Sequence, residues 1–381
     1  MISGKKIIVL LSVLVQFQTV GWTQAPGDFF APAIPYDSLS AKQKLTFDLE
    51  GLVFFRNNEF FNDFVEGYTL PGWWMQPSLT YHFSEITKLS AGINMLKFHG
   101  HEGFFDVQPV LTFRHNFTPA FFLQIGNLEG HLHHGLPEPL YGYERALTQN
   151  LEQGIQLQYE GRKIFADFWV NWEQFIWFGD TLQEQFSAGL STKIALFNTG
   201  GFHFSLPVYV LFTHQGGQIN VSNRSIETLM NAASGLEISY VADDSRISSV
   251  SLRNLYFIYQ NNSSAIRQAF NEGDAFYSTL ELKMKPGFME LGYWRGNTFV
   301  APRGEPLFMS INTENSQMNH TKRELLTSRL FISANVHKQV KLGAEYALYY
   351  GMLQKSLDYY YGVYARVDLS VPLMTHRKTA F

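Results

Sequence analysis

Apolar and polar residues alternate with a period of two along most of this chain. The clearest example is the 13-residue segment 361–373, in which every second residue is apolar. The positions between them include Arg366 and Asp368. Strict alternation over this length exceeds the strand of about five or six residues that is usual in soluble proteins. The pattern therefore predicts a long β-strand with one apolar and one polar face.

The same alternation recurs elsewhere, and the connections between the alternating segments are short and long in turn. Further alternating segments lie at 44–55, 151–160, 164–173, 185–196, 202–212, 326–336 and 340–348. Short links rich in turn formers or charge lie at 85–88, 116–119, 160–163, 197–201, 243–246, 285–288 and 337–339. Longer polar loops lie at 56–70, 97–104, 127–150, 174–184, 214–229, 260–275, 295–325 and 351–358. Seven short links and eight long loops predict sixteen strands, with fourteen as the alternative count.

Two architectures can accommodate such strands, a large soluble all-β protein and a transmembrane β-barrel. Short turns at one end and long loops at the other are typical of outer-membrane barrels. The apolar faces also carry Phe, Tyr and Trp towards the strand ends, as an aromatic girdle would. The predicted fold class is therefore all-β, an antiparallel transmembrane β-barrel with short periplasmic turns and long extracellular loops.

Composition supports a membrane location that is reached without hydrophobic helices. Charged residues make up 16% of the chain and aromatic residues another 16%, whereas an ordinary soluble domain is about 25% charged. After residue 25 no apolar run approaches the roughly 20 residues that a transmembrane helix needs. Alternating strands satisfy both observations, because only one of their faces has to meet lipid.

The first 25 residues are typical of an export signal. Lys5 and Lys6 precede a short apolar run at 7–15, and Ala25 offers a small residue at the cleavage position. A retained N-terminal anchor is the alternative interpretation. The predicted organisation is a signal peptide (1–25), a periplasmic N-terminal segment (26–42), the barrel (43–373) and a C-terminal tail (374–381).

Charge and cysteine content exclude several classes of function. Removal of residues 1–25 takes away two lysines and no acidic residue, so the formal net charge changes from −4 to −6. An acidic chain lacks the basic face that nucleic acid requires, and we expect no nucleic-acid partner. The absence of cysteine excludes disulfides, thiolate catalysis and thiolate metal sites. We expect an exported bacterial protein without a cofactor.

Taken together, these features resemble the porin-like outer-membrane β-barrels of Gram-negative bacteria, in particular barrels common in Bacteroidota. The resemblance covers nearly all of the mature chain. The chain departs from it at the C-terminus, where residues 374–380 separate Phe381 from the last alternating segment. The resemblance implies an integral outer-membrane protein that contacts lipid and is inserted by the barrel assembly machinery, with a homotrimer or a partner lipoprotein as further expectations.

A barrel of about sixteen strands is wide enough to leave an aqueous channel, so its inward faces are candidate functional surfaces. The predicted pore-lining residues are Glu152, Gln156, Gln158, Asp167, Trp169, Asn171, Glu173, Arg114 and Arg366. Amides and acids hydrogen-bond hydroxyl groups, and an aromatic face stacks on apolar ring surface. The expected function is passive or weakly selective passage of small polar solutes such as sugars. A hydrated wall without a preferred solute is the simpler alternative.

The stretch GNLEGHLHHGLPEPLYGYE, residues 126–144, opens the long loop 127–150. Pro137 and Pro139 stiffen it, because proline fixes φ and removes a backbone donor. A stiff, long loop is a candidate to fold into the lumen and constrict a channel. The constriction residues predicted on it are His131, His133, His134, Glu138, Tyr141, Glu144 and Arg145.

Metal binding is a chemical alternative for the loop histidines. His99 and His101 together with His131 and His133 could hold Zn²⁺ or Cu²⁺ if their two loops meet. Ordinary hydrogen-bonded loop histidines explain the same pattern, so we expect no metal.

Catalysis finds little support in the motifs of the chain. Neither a G-x-S-x-G elbow nor an H-E-x-x-H helix occurs. Asp167 and Glu173 lie about 20 Å apart on one strand, too far for a glycosidase pair. We therefore expect a barrel that is not an enzyme. A non-conducting surface barrel for binding, adhesion or complex assembly is the first alternative, and a barrel-type lipid or glycan hydrolase is the second.

Overall fold

The computed structural model is a closed antiparallel barrel of sixteen strands, in which each strand pairs with its sequence neighbours and β1 pairs with β16. The structure describes residues 29–30, 43–217, 219, 221–222, 224–242, 247–263, 268–312 and 319–375. The strands are β1 Gln43–Glu59, β2 Thr69–His82, β3 Thr87–Phe98, β4 Asp106–Thr118, β5 Phe121–Asn127, β6 Gln153–Glu160, β7 Ile164–Gln174, β8 Gln185–Thr199, β9 Phe202–Gln215, β10 Glu227–Val241, β11 Ile247–Asn261, β12 Glu272–Met284, β13 Gly287–Asn297, β14 Lys322–His337, β15 Val340–Gly351 and β16 Ser356–Thr375. The predicted fold class and the count of sixteen are confirmed.

Connections between the strands are short at one end of the barrel and mostly long at the other. Residues 119–120, 200–201 and 285–286 make tight links at the short end, whereas 128–152 and 298–321 are the longest loops at the opposite end. Short turns lie on the periplasmic side of outer-membrane barrels, so the long loops are extracellular. The predicted link at 243–246 lies outside the described residues.

Helical segments occur inside the long loops and are short. They are the α-helix α1 (Arg145–Thr148) and two 3₁₀ helices, His131–His134 and Pro306–Phe308. Across the described part of the chain, no helix combines the length and the apolar character needed to cross a membrane.

Side chains alternate between the lumen and the outer surface along each strand, because successive residues of a strand point to opposite faces. In β14, Leu325 and Arg329 are buried inside the barrel, whereas Leu326 and Leu330 are 47% and 44% exposed on the outside. The exposed outer face is largely apolar, as contact with lipid requires. The protein is an integral outer-membrane protein.

The main apolar core lies inside the barrel. The two longest loops fold into the extracellular half of the lumen, where their apolar side chains pack against inward residues of the wall. Trp294 of β13 lies 5.2 Å from the ring of Phe299 and 5.1 Å from that of Phe308. All three rings are fully buried. The expected water-filled passage is therefore occupied by protein in this half of the barrel.

The chain ends are described only in part. The predicted signal peptide, the tail beyond Thr375 and all of segment 26–42 except Phe29 and Phe30 lie outside the described residues. Phe29 is fully buried in the barrel, with its ring 5.3 Å from that of Phe331. Arg366 Nη1 donates a hydrogen bond to the carbonyl of Phe30.

Candidate functional site

The loop 128–152 enters the lumen directly after β5, and two glycines allow its path. Gly126 has a φ of +99°, and a Cβ at this position would lie 1.8 Å from the carbonyl oxygen of Leu111. The 3₁₀ helix His131–His134 ends at Gly135, which adopts a left-handed φ of 66°. Glycine is the residue that takes up such backbone angles without steric cost. The 3₁₀ helix places His134 against Asp167 and Trp169 of strand β7.

His134 lies in a fully buried site between two carboxylates. Its ring stacks on that of Trp169 at 3.6 Å and 9°. Its Nδ1 lies 2.7 Å from Asp167 Oδ2, and its Nε2 lies 3.0 Å from Glu152 Oε2. Burial by itself would lower the pKa of His134, but Glu152 and the hydrogen bonds to both carboxylates raise it to about 9. The side chain is therefore an imidazolium at neutral pH.

A second set of contacts fixes both carboxylates. Tyr141 Oη donates to Glu152 Oε1 at 2.6 Å, and Gln156 Nε2 donates to Asp167 Oδ1 at 2.9 Å. Burial raises the pKa of Tyr141, so its hydroxyl stays protonated. His134, Asp167 and Trp169 have no solvent-exposed surface. A substrate cannot reach this cluster, and we interpret it as the attachment of the loop to the wall.

Other predicted constriction residues make similar attachments. Tyr349 Oη donates to Glu138 Oε1 at 2.9 Å, and burial raises the pKa of Glu138. Asn58 Nδ2 donates to Glu144 Oε2 at 2.8 Å. Arg145 of α1 stacks on the ring of Tyr141, with its guanidinium carbon 4.9 Å from the ring centroid. The contacts of Glu138 and Glu144 join the loop to β15 and β1, whereas the stack of Arg145 on Tyr141 lies within the loop.

Glu173 on β7 contacts both of the long loops that fill the lumen. These loops, 128–152 and 298–321, together form what we call the plug. Arg303 of loop 298–321 donates from Nε to Glu173 Oε1 at 2.9 Å and from Nη2 to Oε2. Arg145 Nη2 lies 3.9 Å from the same carboxylate, and Ser187 donates to it at 3.0 Å. Inward residues that were predicted to line a pore are thus contacts between the wall and the plug.

Arg114, Arg366 and Asn171, also predicted to line a pore, have protein partners as well. Arg114 pairs with Glu129 and stacks on Phe122, and Arg366 donates to Asp368 at 2.8 Å. Asn171 Oδ1 accepts the backbone N–H of Gln153 at 2.9 Å. Gln158 is half-buried on β6. Arg366 also borders a cavity inside the lumen.

Two cavities persist in the periplasmic half of the lumen, on either side of the loop tip. One of about 250 Å³ is lined by Asp48, Glu50, Lys88 and His133, among others. Burial there lowers the pKa of His133. The other, of about 290 Å³, has a charged lining that includes Arg253, Glu290 and Arg329. Leu132 borders both cavities, so the 3₁₀ helix divides this part of the lumen.

The structure does not bring the two histidine-containing loops together. His99 and His101 are exposed in the β3–β4 loop, whereas His133 lines a cavity inside the lumen. The side chain of His131 lies outside the described residues. Within the described ranges, no group of three or more His, Asp or Glu side chains is placed to hold a metal ion.

A chain of polar side chains lies on the outer surface at the extracellular ends of β1 and β2. Thr69 Oγ1 donates to Asn57 Oδ1 at 2.5 Å, and Asn57 Nδ2 donates to Glu59 Oε1 at 2.7 Å. Tyr361 on β16 extends the row, with its hydroxyl 3.3 Å from Asn57 Nδ2. Asn57 and Glu59 lie on the outward face of β1, whose outward residues are apolar or Gly from Leu45 to Phe55. Thr69 is paired with Asn57 across β1 and β2. A half-buried carboxylate, a half-buried amide and an exposed hydroxyl thus lie on the lipid-facing surface.

Sequence reasoning missed this row because it considered only inward positions. The available signal was a change within one strand, since the outward phase of β1 turns polar at Asn57 and Glu59. Thr69 joins them only through the pairing of β1 with β2.

Two outward pairs of histidine and threonine provide a useful comparison. His214 Nδ1 lies 2.9 Å from Thr228 Oγ1 at the extracellular rim. His115 Nδ1 lies 2.8 Å from Thr87 Oγ1 at the periplasmic rim. An aromatic ring flanks each imidazole, Phe186 for the first and Phe117 for the second. The same pair at both rims indicates cross-strand packing at the membrane boundary rather than a site specific to one leaflet.

Comparisons with known proteins agree on the fold and add a family. A family model described as Lipid A 3'-O-deacylase-type matches residues 36–376. The structure of OprD from Pseudomonas aeruginosa is similar with a TM-score of 0.51, at 10% identity over 91% of this chain and 98% of that one. The loop-deleted OmpT of Vibrio cholerae has a TM-score of 0.50, at 12% identity over 86% of this chain and 100% of that one. No match is found among curated proteins.

The family match overturns two expectations from the sequence, that the barrel is a channel for small solutes and that it is not an enzyme. At 10–12% identity, the solved barrels support the architecture alone. Sequence motifs do not identify such an enzyme, because a barrel can bring together polar side chains from strands that are far apart in sequence, such as β1 and β16. No fixed sequence spacing describes such a set.

Proposed function

The chain belongs to the Lipid A 3'-O-deacylase-type family, and we propose that it is an outer-membrane hydrolase that removes an ester-linked acyl chain from lipid A. The observation that carries the proposal is the row Thr69–Asn57–Glu59 on the outer surface. The ester bonds of a lipid lie where the acyl chains meet the headgroup. The extracellular strand ends lie at the same depth, because the strands span the hydrocarbon layer.

The chemistry of the row fits the hydrolysis of an ester by an activated water. Glu59 would accept a proton as the water oxygen attacks the ester carbonyl carbon. Asn57 Nδ2 and Thr69 Oγ1 donate to Glu59 and Asn57 in the free protein, and they would turn to the oxyanion once the ester is bound. The bond between the acyl carbon and the sugar oxygen then breaks and releases a fatty acid. The proton held by Glu59 passes to the sugar oxygen and completes its hydroxyl group. Asn57 and Glu59 are half-buried and Thr69 is exposed, so a membrane lipid can approach them from the side.

An outward cation for a lipid phosphate lies on β3, the strand beside β2, where Lys97 Nζ donates a hydrogen bond to the carbonyl of His101. Lys97 on β3 faces outward and is paired across the strands with Trp73 of β2. An ammonium group is a suitable partner for phosphate oxygens. The buried His134 cluster offers no comparable access, because it is enclosed by the wall and the plug.

The experiment that tests this proposal measures the number of acyl chains on lipid A from cells that produce the protein. The wild-type chain is expected to yield lipid A that lacks one acyl chain, as measured by mass spectrometry. Glu59→Gln keeps the shape of the side chain but cannot take up the proton, and should slow deacylation by about 10²-fold or more. Unmodified lipid A with the folded wild-type protein would refute the proposed function.

The matched control is Glu324→Gln. Glu324 is also an outward carboxylate at the extracellular rim, on β14, three strands from β1 in the closed sheet, where it lies 3.8 Å from Arg295. Full activity is expected from this variant. Equal loss in both variants, or normal activity of Glu59→Gln, would place the reaction elsewhere on the barrel.

Partners beyond membrane lipid stay proposals. A barrel of this kind requires the barrel assembly machinery for insertion. A homotrimer and a complex with a lipoprotein make different predictions for native mass spectrometry of the detergent-extracted protein. Three copies of the chain would support the former, and an additional lipid-modified subunit would support the latter.

A further inference from the structure

Large apolar side chains project from the two extracellular loops that follow β7 and β9. Phe175, Trp177 and Phe178 are 65%, 70% and 80% exposed. Leu182 and Val221 are 59% and 62% exposed. Phe178 is the most exposed large apolar side chain among the described residues. We call residues 175–182 together with Ile219 and Val221 the aromatic flap.

The flap is ordered by backbone hydrogen bonds between its two loops. Gly179 N–H donates to Ile219 O, and Val221 N–H donates to Asp180 O, both at 2.9 Å. Buried Gln183 donates from Nε2 to the carbonyl of Arg224 at 3.0 Å. Within the first loop, Asp180 Oδ2 accepts the backbone N–H of Trp177 at 2.6 Å. The apolar side chains are therefore held out by a defined scaffold.

The flap continues the lipid-facing surface of the barrel. Ile176 is buried at 3% exposure, and its neighbours Phe175 and Trp177 are exposed. Below them, the outward rings of Trp172 and Phe186 stack at 5.2 Å, and Phe186 stacks on His214 at 4.9 Å. Trp177 follows the end of β7 by three residues, at most roughly 10 Å of extended chain, against a headgroup layer of about 5–8 Å, so it lies in or at the outer edge of that layer.

We propose that the aromatic flap is a lipid-binding surface that lies in the outer leaflet beside β7–β9. Contiguous exposed apolar groups on a protein mark a binding surface, and here they adjoin a wall whose contact is lipid. Aromatic side chains are the residues that favour the membrane boundary. The flap belongs to the loops after β7 and β9, whereas the row Thr69–Asn57–Glu59 lies on β1 and β2, so this proposal does not depend on the hydrolytic one.

The chain contains no cysteine, so a single introduced thiol can report on the flap. Phe178→Cys carries a nitroxide spin label on the flap, and Glu66→Cys carries it on an exposed polar loop position as a control. Both variants are reconstituted in vesicles of phosphatidylethanolamine and phosphatidylglycerol, with and without lipid A. The label at 178 is expected to collide more often with oxygen than with a water-soluble nickel chelate. The label at 66 should show the reverse.

A label-free measurement uses Trp177. Lipids brominated near the headgroup should quench more of the tryptophan fluorescence in the wild type than in Trp177→Phe, which lacks this fluorophore. A heat-modifiability assay confirms that each variant is folded. Labels at 178 and 66 that are equally accessible to the nickel chelate would overturn the proposal. A label at 178 that is shielded from both oxygen and chelate would also overturn it, since that result indicates a protein partner.

Discussion

His134 attaches a long loop to the barrel wall through one ring stack and two charge-assisted hydrogen bonds. A buried charge is stable only when an opposite charge and hydrogen bonds compensate for its loss of solvation. Removal of one partner typically costs about 3–5 kcal/mol, because it leaves a buried charge uncompensated. The position of the plug therefore depends strongly on this residue.

The first prediction concerns pH. The pKa of His134 is raised to about 9 in the folded protein, against about 6.5 in an unfolded chain. Its contribution, about 3 kcal/mol, is fully present below pH 6.5 and is lost as the pH rises through 9. Protease cleavage within 128–152 should accelerate between pH 7 and 10. A His134→Gln variant should be cleaved faster at pH 7 and show a flatter profile; an unchanged profile in the wild type would contradict the assignment.

The second prediction concerns the glycine opposite Trp169. A Cβ on Gly189 would lie 2.1 Å from the Trp169 ring, whereas one on Gly51 would have its nearest contact at 3.4 Å. Gly189→Ala must displace the ring from His134 and should lower stability by about 1–3 kcal/mol. Gly51→Ala is the matched control and should unfold near the wild-type temperature. Equal melting temperatures for both variants would show that the stack is dispensable.

At the scale of elements, β7 organises the interior. Its inward residues contact the loop after β5 through Asp167 and Trp169. They contact the loop after β13 through Glu173. One strand thus supports both halves of the plug, although the two loops are far apart in sequence. Its outward residue Trp172 belongs to the aromatic surface below the flap.

The third prediction tests this role with Glu173→Gln. The substitution removes the charge that holds Arg303 and Arg145, so loop 298–321 should open more often. Trypsin cleavage after Arg303 is expected to accelerate about 5–30-fold, which corresponds to about 1–2 kcal/mol. Glu66→Gln, at an exposed position in another extracellular loop, should leave the rate unchanged. A wild-type rate in Glu173→Gln would mean that Arg303 has other sufficient partners.

The whole molecule is a wide barrel whose lumen is filled in its extracellular half. A sixteen-strand wall leaves an aqueous lumen unless loops occupy it. Here apolar side chains of two loops pack against inward wall residues such as Phe257 and Trp294. The outer surface is thereby left as the face that contacts lipid.

The fourth prediction follows from the filled lumen. Purified protein in planar lipid bilayers should show no conductance steps of the size that an open barrel of this width would give. Deletion of residues 130–146 together with 300–310 should produce such steps, because it removes most of the plug. Removal of the exposed flap residues 177–179 is the control deletion, and this variant should show no conductance steps. Porin-sized steps from the intact protein would contradict the packing of the loops.

The local pattern of apolar and polar residues predicted the strands of the barrel wall well. Period-two alternation identified β16, β7 and β8, and the alternation of short and long connections gave both the strand count and the sidedness. The function, however, was wrongly predicted to be that of a channel, because an inward polar face looks the same whether it lines water or binds a plug. Asp167 and Glu152 illustrate this ambiguity: their spacing suggested a pore lining, and their actual partner is His134.

The sequence by itself determined the alternation, the strand number and the membrane location, since each of these depends on neighbouring residues along one strand. The tertiary structure alone decided which residues meet across the barrel. It placed His134 between Asp167 and Glu152, closed β1 on β16 and aligned Thr69, Asn57 and Glu59 on the outer surface. Strand register and loop entry are cooperative properties of the closed sheet, and no local period encodes them.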